Sequence, residues 1–311
     1  MNTTLLFALF NLFILLMLAI DLGIFNRKAH TISLREAIVW SIIWTLLALL
    51  FNVGVFVVAG TTTGLEFFTG YLIERALSFD NIFVFVLIFS YFGVPRKYHH
   101  RVLFWGVVGA LVMRSLFILA GTALISRFEW VLYIFGVILI VSGWKMMTQK
   151  DIKVHPDRNL FIRMARKLFP VVTGFDSPRF FLRKDGKLAI TSLFLVLLAV
   201  ETTDVVFAVD SIPAVFGVTQ NPFIVYSSNV FAILGLRATY FLLAGVMETF
   251  IFLTHGLSLV LMFIGAKMLL DHVVPISITV SLIVVAVVLT ASVILSLVHK
   301  RRHPPPGPDG A

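Results

Sequence analysis

From Thr3 to Val298 the chain is a succession of apolar stretches, each about as long as a bilayer is thick, separated by short polar connections. A helix needs about 20 apolar residues to cross the hydrocarbon core. Nine segments meet that length, near 3–25, 36–59, 65–92, 102–124, 128–147, 188–215, 222–246, 250–270 and 275–298. A soluble enzyme is excluded, because 59% hydrophobic and 13% charged residues leave too little polar surface to coat a globular domain in water. The expected fold is all-α: a polytopic membrane protein of about nine transmembrane helices, forming a single transmembrane domain over 1–311. The first segment has no basic region before it and no small-x-small site after it, so it is expected to be a retained helix and not a signal peptide. With no cysteine in the chain, disulfides, thiol redox chemistry and thiolate metal sites are ruled out.

The formal net charge of +9 raises the question of nucleic acid, and the placement of the charge answers it. Twenty of the 25 Lys and Arg fall in one set of alternate connections and the C-terminal tail, whereas Arg127 and Lys267 are on the other side and Arg75, Arg114 and Arg237 lie within spans. By the positive-inside rule the N-terminus is outside and the C-terminus cytoplasmic, and no nucleic-acid partner is needed. The sizeable polar segment is a basic cytoplasmic loop over 148–187. In it Leu160, Phe161, Met164 and Leu168 recur at helical spacing against Arg163, Arg166 and Lys167, the pattern of a short helix on an anionic leaflet, although a solvated basic linker fits as well. Asp185-Gly186 has the form of a tight turn, and the proline-rich tail 303–311 is expected to be disordered.

Eleven of the 16 acidic residues sit in loops, tails or span ends, Glu66, Glu129 and Asp271 among them. The other five lie within spans: Glu74 and Asp80 in the third, Glu201, Asp204 and Asp210 in the sixth. Each would cost about 2.5–3.5 kcal/mol at mid-bilayer if it faced lipid. They must therefore face one another, a cavity or a ligand. Arg75, Arg114 and Arg237 can neutralise three of them, leaving two charges that one divalent cation, or protonation, would balance. No histidine lies deep in a span, so the available ligands are carboxylates with Asn81, Ser211 and Asn229. Such a hard, oxygen-rich set suits magnesium, calcium or manganese over zinc or copper.

The two acidic spans also resemble each other. LIERALSFDNIFVF at 72–85 aligns with TTDVVFAVDSIPAV at 202–215, matching Glu74 to Asp204 and Asp80 to Asp210. Further on, Arg114 with Phe117 matches Arg237 with Tyr240, and Lys145-Met146 after Gly143 matches Lys267-Met268 after Gly265. Spans three to five thus repeat as spans six to eight, and an odd number of spans per copy turns the second upside down. Inverted repeats mark secondary transporters, with a midplane site often built on broken helices. Six residues of straight helix turn 240° net, so Glu74 and Asp80 cannot share a face; interruptions are expected at Asp80-Asn81 and near Pro213. Glu201 and Asp204, three apart, do share one.

The strings ERALSFDN at 74–81, VETTDVVFAVDSIPAVF at 200–216, SSNVFAILGLRATYFLLAG at 227–245 and YIFGVILIVSGWKM at 133–146 resemble signature segments of the TerC family of bacterial membrane proteins, and FFLRKDGKL at 180–188 resembles its Alx-like branch. The family was named for tellurite resistance, and that branch has been described as a redox modulator. What the resemblance implies is export of manganese across the bacterial inner membrane, along a path formed by Glu74, Asp80, Asn81, Glu201, Asp204, Asp210 and Asn229. Manganese is then the substrate, and no cofactor is expected. The alternative is a stress-responsive, pH-responsive or tellurite-resistance protein without transport activity. An intramembrane aspartyl protease would carry Tyr-Asp and Gly-x-Gly-Asp, whereas Phe79 precedes Asp80 and Ala208-Val209 precede Asp210, so no enzyme is expected.

Overall fold

The computed structural model describes residues 3–20, 33–148, 159–175, 177–184, 186–244, 250–271 and 273–302. In chain order its elements are α1 (Thr3–Ile20), α2 (Leu34–Ala59), α3 (Thr61–Phe92), α4 (Arg96–Arg127), α5 (Val131–Thr148), α6 (Leu160–Leu168), β1 (Val171–Val172), β2 (Phe181–Lys184), β3 (Lys187–Thr191), α7 (Ser192–Phe216), α8 (Pro222–Leu234), α9 (Leu236–Leu243), α10 (Leu253–Leu270) and α11 (Ile278–Arg302). Among the described residues six helices, α2, α4, α5, α7, α10 and α11, are long and apolar enough to cross a membrane. The other three predicted spans fall on α1, with its shorter apolar stretch Leu5–Ala19, on α3, which carries Glu66, Glu74, Arg75 and Asp80, and on the pair α8 and α9.

The helix α3 is central, packed against α2, α7, α8 and α11. It runs antiparallel to α7: Glu66 meets Thr219 beyond one end, while Phe85 and Val200 share a cavity wall toward the other. Both helices are continuous through their acids, contrary to the expected interruptions. Pro213 lies inside α7, close enough to its end that the helix closes at Gly217, whose N–H still reaches the Pro213 carbonyl. The break falls instead in the seventh predicted span, at Gly235 between α8 and α9. A Cβ there would collide with the Arg75 guanidinium, which donates from Nη1 to the Ala232 carbonyl at 3.5 Å. A side chain from α3 thus fills the notch that the missing Cβ leaves.

The helices α5 and α10 cross with their backbones in contact. A Cβ on Gly265 would lie 2.6 Å from the Gly136 carbonyl oxygen, and one on Gly143 would lie 2.7 Å from that of Ser258. Helix pairs approach this closely in membranes when small residues line the contact.

The basic loop holds more structure than a linker. Asn159 caps α6 by accepting from the N–H groups of Phe161 and Ile162, and its amide nitrogen donates to Thr202 Oγ1 on α7 at 2.6 Å. Ile162 and Ala165 are buried, while Leu160, Phe161, Met164 and Leu168 are exposed. A three-stranded sheet follows, in the order β1-β3-β2, with β1 parallel and β2 antiparallel to β3. The sheet corrects the all-α expectation: the fold is nearly all-helical, and the short strand Lys187–Thr191 leads straight into α7. Gly186 has the positive φ of 75° that the tight turn requires; Asp185 beside it, and the tail 303–311, lie outside the described residues.

Candidate functional site

Four helices converge on one guanidinium. Arg114 of α4 is only 2% exposed. Its Nε and Nη2 donate to the two carboxylate oxygens of Asp204 on α7, both at 3.2 Å. Its Nη1 donates to Glu74 Oε2 on α3 at 2.7 Å and to Ser211 Oγ at 3.1 Å. From α8, Asn229 Nδ2 donates to the other Glu74 oxygen at 2.6 Å. The local sequence explains the convergence: Asp204 and Ser211 are seven residues apart, two helical turns, so both look at α4. Glu74 and Asp204 are buried, at 1% and 4% exposure, so the fork of Arg114 holds two desolvated carboxylates with a single positive charge.

The remaining predicted residues take up other places. Glu201 shares the Asp204 face and presses its carboxylate against Gly109 of α4, where any Cβ would collide with it. Asn81 is buried two turns along α3 from Glu74, hence on the same face. Asp80 is turned away from Arg114: Thr254 of α10 donates to its Oδ1 at 3.4 Å. Asp210 accepts from Ser142 of α5 at 2.6 Å. The structure therefore brings Glu74, Asp204 and Asn229 together and sets Asp80 and Asp210 apart, because unbroken helices cannot turn residues six apart to one side. Arg114 holds the acidic cluster, while Arg237, its predicted symmetry mate, is buried in α9.

Among the predicted site residues, two buried acceptors, Asp80 Oδ2 and Asn229 Oδ1, have no hydrogen-bond partner among the described residues, as is also true of Asn52 Oδ1 outside the site. Unpaired lone pairs at such depth are unfavourable by about 1–3 kcal/mol each, and a hard cation would satisfy them. No three acidic or imidazole side chains among the described residues are close enough to hold one metal ion in this arrangement. The position between Glu74 and Asp204 belongs to Arg114.

Sequence reasoning missed Ser142, Thr254 and Gly109. Hydroxyls in apolar helices commonly bond their own chain four residues back, as Thr69, Ser78 and Ser115 do here, so nothing in the string separates the two that turn outward to an aspartate.

Residues 59–304 match the family model described as Integral membrane protein TerC family. The chain belongs to the TerC family. The match starts at the end of α2 and takes in every helix that contributes to the Arg114 cluster. Among curated relatives, an uncharacterized membrane protein of Myxococcus xanthus is 49% identical over 300 residues, covering 96% of this chain and 94% of that protein. A proposed membrane-bound redox modulator, Alx, is 46% identical in Escherichia coli K12, covering 97% of each chain, and 46% identical in Salmonella typhi, covering 95% of this chain and 94% of that one. No solved structure matches.

Proposed function

We propose that this TerC family protein is a secondary transporter that exports a hard divalent cation, manganese, from the cytoplasm across a bacterial inner membrane. The observation that carries the proposal is the Arg114 cluster: two buried carboxylates on antiparallel helices, bridged by one guanidinium that leaves a negative charge over. A divalent ion entering there exchanges one internal cation for another and meets only oxygen ligands, which is the preference of manganese, magnesium and calcium.

The geometry supports a path through that point. In the antiparallel register of α3 and α7, the acids follow one another along the membrane normal as Glu201, then Asp204 with Asp80, then Glu74 with Asp210, then Glu66. At a rise of 1.5 Å per residue the steps are roughly 5–12 Å, short enough to hand an ion onward. The inverted-repeat reading is supported by α5 and α10, where Gly143 against Ser258 and Gly136 against Gly265 exchange under the alignment that pairs Gly143 with Gly265. The two aspartates outside the cluster behave likewise, since Asp80 takes a hydroxyl from α10 and Asp210 one from α5, each the third helix of the other copy. Counting α1, α3 and the broken α8–α9 pair as spans makes nine, and on that reading the positive-inside rule assigns the basic α6 loop and the C-terminus to the cytoplasm.

A redox role, the description attached to the Alx relatives, would have to do without thiols, since the chain has no cysteine. The experiment is to express the protein in a bacterium lacking its own manganese exporters and measure cytoplasmic manganese in manganese-rich medium. Export predicts a lower content and better survival with the protein than with Asp204→Asn; equal content in the two strains would refute it.

A further inference from the structure

On the far side of Glu74 from Asp80, the ends of α3, α7 and α10 border a half-open cavity of about 250 Å³, lined by Glu66, Thr219, Gln220, Lys267 and Asp271 among others. It lies outside the Arg114 cluster. Glu66 is held in place by Thr219 Oγ1, which donates to its Oε2 at 2.8 Å. Lys267 is 8% exposed, yet its ammonium makes no hydrogen bond or salt bridge among the described residues, although two carboxylates line the same cavity. A structural ion pair would have closed that gap. A tight metal site would have no lysine in it.

We propose that this cavity is a low-affinity release site for a hydrated divalent cation, with Lys267 as a tethered cation that competes for Glu66 and Asp271. Its role as the point of release rests on the export reading; the binding does not. The room suffices: a six-coordinate ion with its waters displaces roughly 200 Å³ at about 30 Å³ per water. The charge fits as well. Two carboxylates attract the ion arriving from Glu74, while the buried ammonium leaves a net charge of only −1, so the ion is held weakly and passes to bulk water. A discharge site that bound tightly would keep its cargo.

The native chain has no cysteine, so Gln220→Cys places a single exposed thiol at the rim of the cavity. The test is the rate at which a small membrane-impermeant thiol reagent labels this variant of the full chain in nanodiscs, titrated with manganese alone. Manganese should slow labelling. Adding Lys267→Gln should lower the protective midpoint about tenfold or more, adding Glu66→Gln should raise it by a similar factor, and Lys267→Arg, which keeps the competing charge, should leave it near the Gln220→Cys value. Labelling of intact cells should proceed from outside. Protection should persist with Asp204→Asn, which removes the central site and not this one. Labelling indifferent to manganese in both the Gln220→Cys and the Lys267→Gln backgrounds, a midpoint raised by Lys267→Gln, or a thiol reached only from the cytoplasm would overturn the proposal. Protection without manganese flux through the parent chain would leave the cavity site standing and remove export; flux without protection would do the reverse.

Discussion

Replacing Arg114 with Gln separates a transport site from a structural ion pair. The guanidinium makes three hydrogen bonds to Glu74 and Asp204 and one to Ser211, and both acids are buried. Removing one partner of a buried, hydrogen-bonded ion pair costs about 3–5 kcal/mol, because an uncompensated charge stays behind. Here two carboxylates remain, so Arg114→Gln should fall at the upper end of that range in metal-free buffer. If the pair is built to hold a divalent cation, manganese should recover much of the loss: at about 100 times its dissociation constant a ligand specific to the folded state stabilises by roughly 2.7 kcal/mol. In the parent chain manganese must first displace Arg114, so its stabilising effect should be smaller. Arg114→Lys keeps the charge without the fork and should lie between the two without the extra gain from metal. The assay is thermal unfolding of the purified protein in detergent with and without manganese, followed by the fluorescence of its five tryptophans. An Arg114→Gln protein that metal stabilises no more than it stabilises the parent would mean that the cluster is structural.

Glu74→Gln and Asp204→Asn each leave one carboxylate opposite Arg114, an electrically balanced pair, so both variants should reach the membrane at parental levels and lose manganese export, read as cytoplasmic manganese; Glu129→Gln, at an exposed position, should export normally. Asp80→Asn and Asp210→Asn should also lose export although neither acid touches Arg114, and survival of either variant in excess manganese would confine the path to the Arg114 cluster. Gly265→Leu forces side-chain atoms toward the Gly136 carbonyl and should destabilise the α5–α10 contact by about 1–3 kcal/mol, visible as lower thermal stability, while Gly54→Ala, with open space around it, should have little effect.

Much of the arrangement is legible in the string because membrane insertion punishes charge. Glu74 and Asp204 stood out as acids that lipid would not tolerate, and Arg114 as one of three guanidinium groups able to meet them. The run at Leu160–Leu168 offered α6 as one of two readings, beside a solvated basic linker, and in the structure its three basic residues fall to one side of its exposed apolar residues. The sheet beside it was harder to see: Phe181–Lys184 and Lys187–Thr191 are too short to show a period above the noise of a basic loop. The breaks were misplaced because proline and polar pairs are the strongest local signals. Pro213 sits near enough to the end of α7 to be absorbed, while the notch at Gly235 depends on Arg75, 160 residues away, and no local pattern reports it. Asp80 and Asp210 could not be assigned their partners, since each takes a hydroxyl from a helix distant in sequence.

The central claim is that manganese passes the Glu74–Arg114–Asp204 cluster, and its most direct test is manganese flux into liposomes containing only the purified protein, with an encapsulated fluorescent indicator and an imposed gradient. The account predicts saturable flux through the parent protein, reduced to the rate of empty liposomes by Asp204→Asn at equal incorporation. Flux that Asp204→Asn leaves unchanged, or no flux through a folded parent protein under any imposed gradient of manganese, protons or sodium, would contradict it.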